Sequence, residues 1–420
     1  MKYIIEGGRK LFGEVNILGN KNSLFPCVAA AFLTEEEVII ENVSDIRDCQ
    51  VLMQILTDLG VKVKKEGQTL YIKASEIKKT TLPDALVTKL RGAVVLAGAI
   101  LSRRKKVSFH HPGGDIIGKR SIDAHLDGFK KLGANVKRND LKYTVEYGIF
   151  GNNENVTIFL DEASVTAAEN LILAASLGKR QIIIKNSPKE PHVQDLCNML
   201  NLMGAKISGV GTDTLIIQGV DKLKGVKFRL GVDYIEVGTY IIATAVCGGR
   251  VGIKGLDNTD LEPILSPLRK FGIKMERVDN TIVVTDSSLK SVPKITTNIW
   301  PGFPTDLMSA AIVLSTQSKG VTLCHDWMYE SRMFFVDKLI GMGAQISLAD
   351  PHRVFVYGLT KLKARELETP DIRAGMALVL AALTAKGKSV INQAELVERG
   401  YEDVVGKLKG LGVVVKKVES

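Results

Sequence analysis

Apolar residues fall into three recurring rhythms along this chain. Six stretches, "NSLFPCVAAAFL", "RGAVVLAGAIL", "TAAENLILAASL", "VGTYIIATAVC", "TDLMSAAIVLS" and "AGMALVLAAL", are apolar on nearly every side of a helical period. Each predicts a helix enclosed in a core. Short strand-like runs follow them: "EVIIENV", "KVSFHHP", "QIIIKNS", "RVGIKGL", "GVTLCHD" and "SVINQAE". The third rhythm has one polar face and ends in an apolar residue, a glycine and a β-like stretch: "ILTDLGVKV", "GFKKLGANV", "LNLMGAKI", "PLRKFGIKM", "LIGMGAQI" and "KLKGLGVVV". It predicts a surface helix stopped by glycine at C′, then a pair of strands.

The signature glycines are Gly60, Gly133, Gly204, Gly272, Gly343 and Gly412, spaced by 73, 71, 68, 71 and 69 residues. Such even spacing marks six copies of one βαβαββ-like unit, with helices inside and sheets outside. The sixth copy ends at "LGVVVKKVES", one strand short, whereas "MKYIIEGG" at the start is a strand without a unit of its own. The N-terminus is therefore expected to complete the last unit. Two three-unit domains follow: residues 21–231, and residues 1–20 with 232–420.

Composition narrows the class. The 420 residues are 45% apolar, enough for more than one core, and no apolar run is long enough to span a bilayer. No signal-peptide pattern opens the chain, so a cytoplasmic protein is expected. Cys27, Cys49, Cys197, Cys247 and Cys324 lack CxxC spacing, and His110, His111, His125, His192, His325 and His352 lack ligand spacing. Reduced thiols and no metal or cofactor are expected. The net charge of +10 admits anionic partners, but its one dense basic run, "SRRKK", has no interleaved aromatics. Small polyanions fit better than nucleic acid or a membrane, and a monomer is expected.

The stretch "HHPGGDIIGKR" (110–120) carries Gly113, Gly118 and Lys119 at P-loop offsets, but Arg120 stands where Ser or Thr must ligate Mg²⁺. That weighs against an ATPase, as does the six-unit pattern, although "VTIFLDE" imitates the acidic strand such enzymes use. Taken with "NKN", "FPTD", "PDIRAG" and "ERGYED", the loop resembles the enolpyruvyl transferase family, most closely its members that use UDP-N-acetylglucosamine, from end to end. The resemblance implies an α/β fold of two inverted barrels with a cleft between them. It also implies transfer of the enolpyruvyl group of phosphoenolpyruvate to the sugar 3-hydroxyl with release of phosphate, at the first committed step of peptidoglycan precursor synthesis.

Phosphoenolpyruvate needs several fixed cations, and guanidinium groups bind carboxylate and phosphate bidentately. The resemblance assigns Lys21, Asn22, Arg120 and Arg399 to this substrate, with Arg332 and Arg373 as helpers. It assigns Arg91, Arg120, Ser121, Ile122, Asp123, Ala124, Ser164, Val165, Asp306 and Met328 to the acceptor nucleotide. Asp115, Asp306, Lys21 and Arg399 are the catalytic set. Asp115 stands where most members have cysteine: it can protonate C3 of the substrate but cannot form the thiolate's adducts, so insensitivity to epoxide inhibitors is implied. Asp306 is expected to take the acceptor's proton and also to cap the helix that begins at "TDLMSAAIVL". His125 is a candidate to line the nucleotide pocket, and Trp300 is placed either to stack on a base or sugar or to pack. Glu162, Thr166, Ser121 and Tyr234 depart from the family pattern. They leave open another uridine nucleotide or nucleotide sugar as acceptor, or a non-catalytic member.

Overall fold

A computed structural model describes residues 1–114, 117–118, 120–147 and 155–419. The chain divides into two compact units. One comprises Met1–Leu18 and Val232–Ser420, and the other runs from Gly19 to Gly231 apart from the tip of the Pro-Gly-Gly loop. At that tip, Ile117 and Gly118 belong to the first unit, where Ser331 N–H donates to Ile117 O (3.1 Å).

In the unit that holds Gly19–Gly114, the all-apolar stretches form inner helices α1 (Lys21–Ala30), α2 (Leu96–Arg104) and α3 (Val165–Ala175). These helices touch one another. Three sheets surround them. The first is built on Glu37–Glu41 and Thr69–Lys73, the second on Lys106–His110 and Lys142–Tyr147, and the third on Gln181–Lys185 and Thr214–Gln218. Strict alternation explains the layering: Val38, Ile40, Leu70, Ile72, Ile182 and Ile184 are buried while their neighbours along each strand face outward.

The other unit repeats the arrangement around α4 (Tyr234–Cys247), α5 (Met308–Thr316) and α6 (Ile372–Thr384), again in mutual contact. Its sheets use Gly249–Lys254, Gly320–His325 and Gly387–Asn392. Lys2–Gly7 lies between Gly387–Asn392 and Val414–Val418, antiparallel to both. It fills the place that Thr214–Gln218 fills in its own sheet. Leu11–Asn16 then pairs in parallel with Gly249–Lys254. The chain therefore begins inside the unit that ends it.

All six signature glycines have positive φ, between 85° and 103°. Each stops a surface helix in the left-handed region, where a Cβ would be strained. Gly98 serves a different purpose. On α2 it faces α3 so closely that an added Cβ would lie 2.2 Å from Asn170 O. The two glycines types predict different costs. Gly204→Ala, at φ +103° with open space around it, should lose about 1–2 kcal/mol from backbone strain alone. Gly98→Ala must push α2 from α3 and should lose about 3 kcal/mol or more. Urea unfolding midpoints of the two variants check the ranking.

Candidate active site

Several of the predicted site residues, Lys21, Asn22, Arg91, Ser164, Val165, Asp306 and Arg373, lie at or just before the N-terminal ends of inner helices, in each unit separately. Backbone N–H groups there are free of intrahelical partners and the helix dipole favours anions. Lys21 opens α1, behind Asn20, whose side chain accepts the Asn22 N–H. A lysine at this end opposes the dipole, and it is nearly buried. Asp48, in the first turn of helix Arg47–Asp58, offsets both with a 2.8 Å ion pair at side-chain exposures of 10% and 4%. Sequence reasoning did not find Asp48, since "IRDCQ" carries no signal that separates it from an ordinary helix-start carboxylate.

Arg91 stands in the 3-10 turn that leads into α2 and donates to Ser121 O (3.0 Å). Arg120 lies beside it: a Cβ at Gly114 would fall 2.8 Å from Arg120 Nη2 and 3.0 Å from Arg91 Cβ. Gly114 has φ +115°, a conformation that favours glycine, where the loop passes both arginines. Ser121 Oγ accepts the Asp123 N–H (2.9 Å) and donates to its carboxylate, shaping the start of helix Asp123–Lys131. The Ile122 side chain is in the core at 1% exposure. Only its backbone can meet a ligand, whereas Ala124 is half-buried and available. Ser164 and Val165 begin α3, with Ser164 making no side-chain cap. Glu162 is exposed just before them.

His125 is in the core rather than in a pocket. Its Nδ1 meets Asn170 Nδ2 (2.8 Å) and its Nε2 meets Thr166 Oγ1 (3.0 Å). Burial, and secondly the charge of Arg91, push its pKa down to about 3.

In the unit that holds α4 to α6, Asp306 accepts from two buried arginines: Arg332 Nη2 to Oδ1 at 3.1 Å and Arg373 Nε to Oδ2 at 2.9 Å. The expectation that Asp306 caps a helix is overturned. Pro304 precedes the 3-10 turn Thr305–Leu307, and Asp306 sits within that turn with its carboxylate taken by guanidinium groups. Arg332 and Arg373 are 3% and 6% exposed, and lie over Tyr329 and Tyr401 with Cζ to ring-centre distances of 5.5 and 5.1 Å. Burial opposes the charge of Arg332, but Asp306, Asp371 and Asp326 outweigh it and raise its pKa. Among the described residues Arg332 Nε and Arg373 Nη1 are buried without a hydrogen bond, Arg332 Nε lying 4.0 Å from Asp326 Oδ2. Asp371 caps α6 by accepting the N–H groups of Arg373 and Ala374. That pattern, Asp two residues before Arg in "PDIRAG", was readable as an N-cap.

Met328 donates its backbone N–H to Asp326 (3.0 Å), which is fully buried. Arg399 ends the 3-10 turn Ala394–Arg399, packed on α6 and half-buried. Trp300 packs instead of offering a stacking face: it is 6% exposed, against Tyr234 at 5.0 Å between ring centres. Asp115 lies outside the described residues. Four cysteines are held as thiols. Burial raises the Cys27 thiol and pushes Cys197, Cys247 and Cys324 to about 12. Among the described residues no group of His, Cys, Asp and Glu gathers to hold a metal, and no helix is long and apolar enough to cross a membrane.

The buried His125 gives stability a pH dependence. Its folded pKa is below its unfolded value of 6.5, so the unfolded chain takes up the proton first. The contribution is complete above pH 6.5 and is lost as pH falls toward 3. Between pH 7 and 5 it should amount to about 2 kcal/mol, absent from a His125→Asn variant, as measured by urea unfolding at each pH.

The pattern of the EPSP synthase family, 3-phosphoshikimate 1-carboxyvinyltransferase, matches residues 5–408. The chain is 46% identical over 426 residues to a UDP-N-acetylglucosamine 1-carboxyvinyltransferase of Borreliella burgdorferi, covering 100% of this chain and 99% of that one. It is 44% identical to the protein of the same name from Treponema denticola, with the same coverage. In fold it is similar to the crystal structure of the enolpyruvyl transferase NikO from Streptomyces tendae, with a TM-score of 0.88 at 24% identity over 99% of this chain and 98% of that one. An EPSP synthase structure from Acinetobacter baumannii gives a TM-score of 0.74 at 16% identity, covering 99% and 100%. With helices enclosed by sheets in each unit and relatives that match along their whole length, the chain belongs to the EPSP synthase family of enolpyruvyl transferases.

Proposed function

We propose that this chain transfers the enolpyruvyl group of phosphoenolpyruvate to the 3-hydroxyl of UDP-N-acetylglucosamine and releases phosphate, as the names of its full-length relatives suggest. The reaction would serve peptidoglycan precursor synthesis in the cytoplasm. The observation that carries the reading is the pair of buried arginines about Asp306, each with a guanidinium nitrogen, Arg332 Nε and Arg373 Nη1, that makes no hydrogen bond among the described residues. An unsatisfied buried donor costs about 1–3 kcal/mol. Such donors, held on fixed elements beside a carboxylate, suit a small substrate carrying carboxylate and phosphate.

In this reading residues 21–231 form one domain, and residues 1–20 with 232–420 form the other. Lys21, Asn22, Arg120, Arg332, Arg373 and Arg399 take phosphoenolpyruvate, while Arg91, Arg120–Ala124, Ser164, Val165, Asp306 and Met328 take the acceptor. The acceptor oxygen bonds to C2 of phosphoenolpyruvate while Asp115 delivers a proton to C3, and Asp306 receives the hydroxyl proton. Loss of a C3 proton then restores the double bond as the C2–O bond to phosphate breaks. Asp48 fixes Lys21 at its post.

Purified protein should release phosphate from phosphoenolpyruvate only when the acceptor is present, because addition precedes elimination. Phosphate release from ATP alone, with none from phosphoenolpyruvate, would overturn the reaction class. Faster turnover with UMP than with UDP-N-acetylglucosamine would favour the other acceptor, to which the exposed Glu162 points, since a carboxylate beside a diphosphate is repulsive.

Resistance to epoxides follows from the thiols. With every described cysteine raised by burial or set in a core, a phosphoenolpyruvate-like epoxide should leave the intact mass unchanged and activity whole. Asp115→Cys should gain one adduct and become sensitive. Asp115→Asn should lose most activity, because an amide cannot deliver the proton.

A further inference from the structure

We propose that His125 is a positioning residue whose fixed tautomer turns the Thr166 hydroxyl into a hydrogen-bond donor for an oxygen of the acceptor nucleotide. This rests on the reading that Ser164 and Val165 meet that nucleotide. The argument runs through a chain of donors and acceptors that leaves each group one choice.

Asn170 is fully buried on α3 between α2 and helix Asp123–Lys131. Gly98 N–H donates to its Oδ1, which identifies the oxygen end of the amide. Its Nδ2 must then spend both hydrogens, one on Val94 O at 3.0 Å and one on His125 Nδ1 at 2.8 Å. His125 Nδ1 is consequently an acceptor. The imidazole is buried at 1% exposure and held neutral, so its single proton is on Nε2. That proton goes to Thr166 Oγ1 at 3.0 Å.

The threonine hydroxyl is thereby fixed as an acceptor on one side, and its own hydrogen remains to be given. No second partner takes it among the described residues, and Thr166 is half-exposed in the first turn of α3, directly after Ser164 and Val165. The backbone N–H groups of that turn are donors as well. A ligand oxygen at this helix end would meet donors of one sense, a selection in favour of phosphate or carbonyl oxygen and against a ligand donor. The same linkage ties residues 120–124, at the start of the His125 helix, to Ser164 and Val165 at the start of α3. Both stretches assigned to the nucleotide are held in register by one side chain.

The test is calorimetric binding of UDP-N-acetylglucosamine and of UDP to the full chain, with KM for phosphoenolpyruvate measured beside it. Thr166→Val, which keeps shape and removes the donor, should weaken both uridine ligands about tenfold and leave the phosphoenolpyruvate KM unchanged. Thr166→Ser should restore binding. In ¹⁵N NMR, His125 should show protonated Nε2 and bare Nδ1 unchanged from pH 8 to 5. Wild-type affinity in Thr166→Val, a rise in the phosphoenolpyruvate KM equal to the loss of uridine-ligand affinity, or a protonated Nδ1 would overturn the proposal while the acceptor assignment stands. Failure of the wild-type chain to bind either uridine ligand would overturn both together. A His125→Asn variant that unfolds carries no weight against these readings, because Thr166 is half-exposed and its valine variant tests the same bond.

Discussion

A helix that is apolar on every side can exist in water only if it is wrapped. Six stretches of this chain impose that condition, and the rest of the structure is its consequence. Three such helices together leave three outward faces, and each is covered by a sheet whose strands alternate apolar and polar residues. Because the inner helices have no polar side, their only exposed chemistry is at their ends. The N-terminal ends carry N–H groups without intrahelical partners and positive potential, so the fold presents anion-friendly positions before any side chain is chosen. Lys21, Arg91, Ser164, Asp306 and Arg373 all stand at or just before such ends.

Charges placed so near a core must be paired or they would be lost. Lys21 is held by Asp48, and Arg332 and Arg373 by Asp306. Replacing one member of such a pair strands the other, which is costlier than never having had the pair. The pairs therefore do two tasks. They keep cations ionised and oriented in partly dry surroundings, and they leave Arg332 Nε and Arg373 Nη1 without a hydrogen bond among the described residues. A preformed cationic site loses little conformational freedom when an anion arrives, which is the advantage of arginine over a flexible lysine.

What the sequence made legible was whatever repeats or is local. The glycines at Gly60, Gly133, Gly204, Gly272, Gly343 and Gly412 announce their left-handed geometry through spacing alone. The unpartnered strand at the start and the missing strand at the end pointed to each other, and Lys2–Gly7 does lie in the last sheet. Asp48 and Asn170 were illegible because their partners, Lys21 and His125, are brought to them by packing across helices. Asp306 was misjudged for a related reason. Local pattern favours a capping aspartate, but two distant arginines compete for the same carboxylate, and a charge-assisted bond outweighs a cap. Trp300 was ambiguous until Tyr234 closed over it.

Arg91 shows how the two kinds of interaction meet. It donates to Ser121 O, holding the stretch that begins helix Asp123–Lys131. It is also, after burial itself, the cause that keeps His125 from taking a proton. A cation close to an imidazole penalises the imidazolium, so the arginine at the mouth of α2 helps preserve the neutral tautomer of His125. Neutrality matters because a protonated His125 would donate from Nδ1 as well, and Asn170 Nδ2 would face it donor to donor. The amide cannot turn to relieve that clash without abandoning Gly98 N–H and Val94 O. The close approach of α2 and α3 at Gly98, which began as a matter of packing, thus decides which way a hydrogen points at the start of α3.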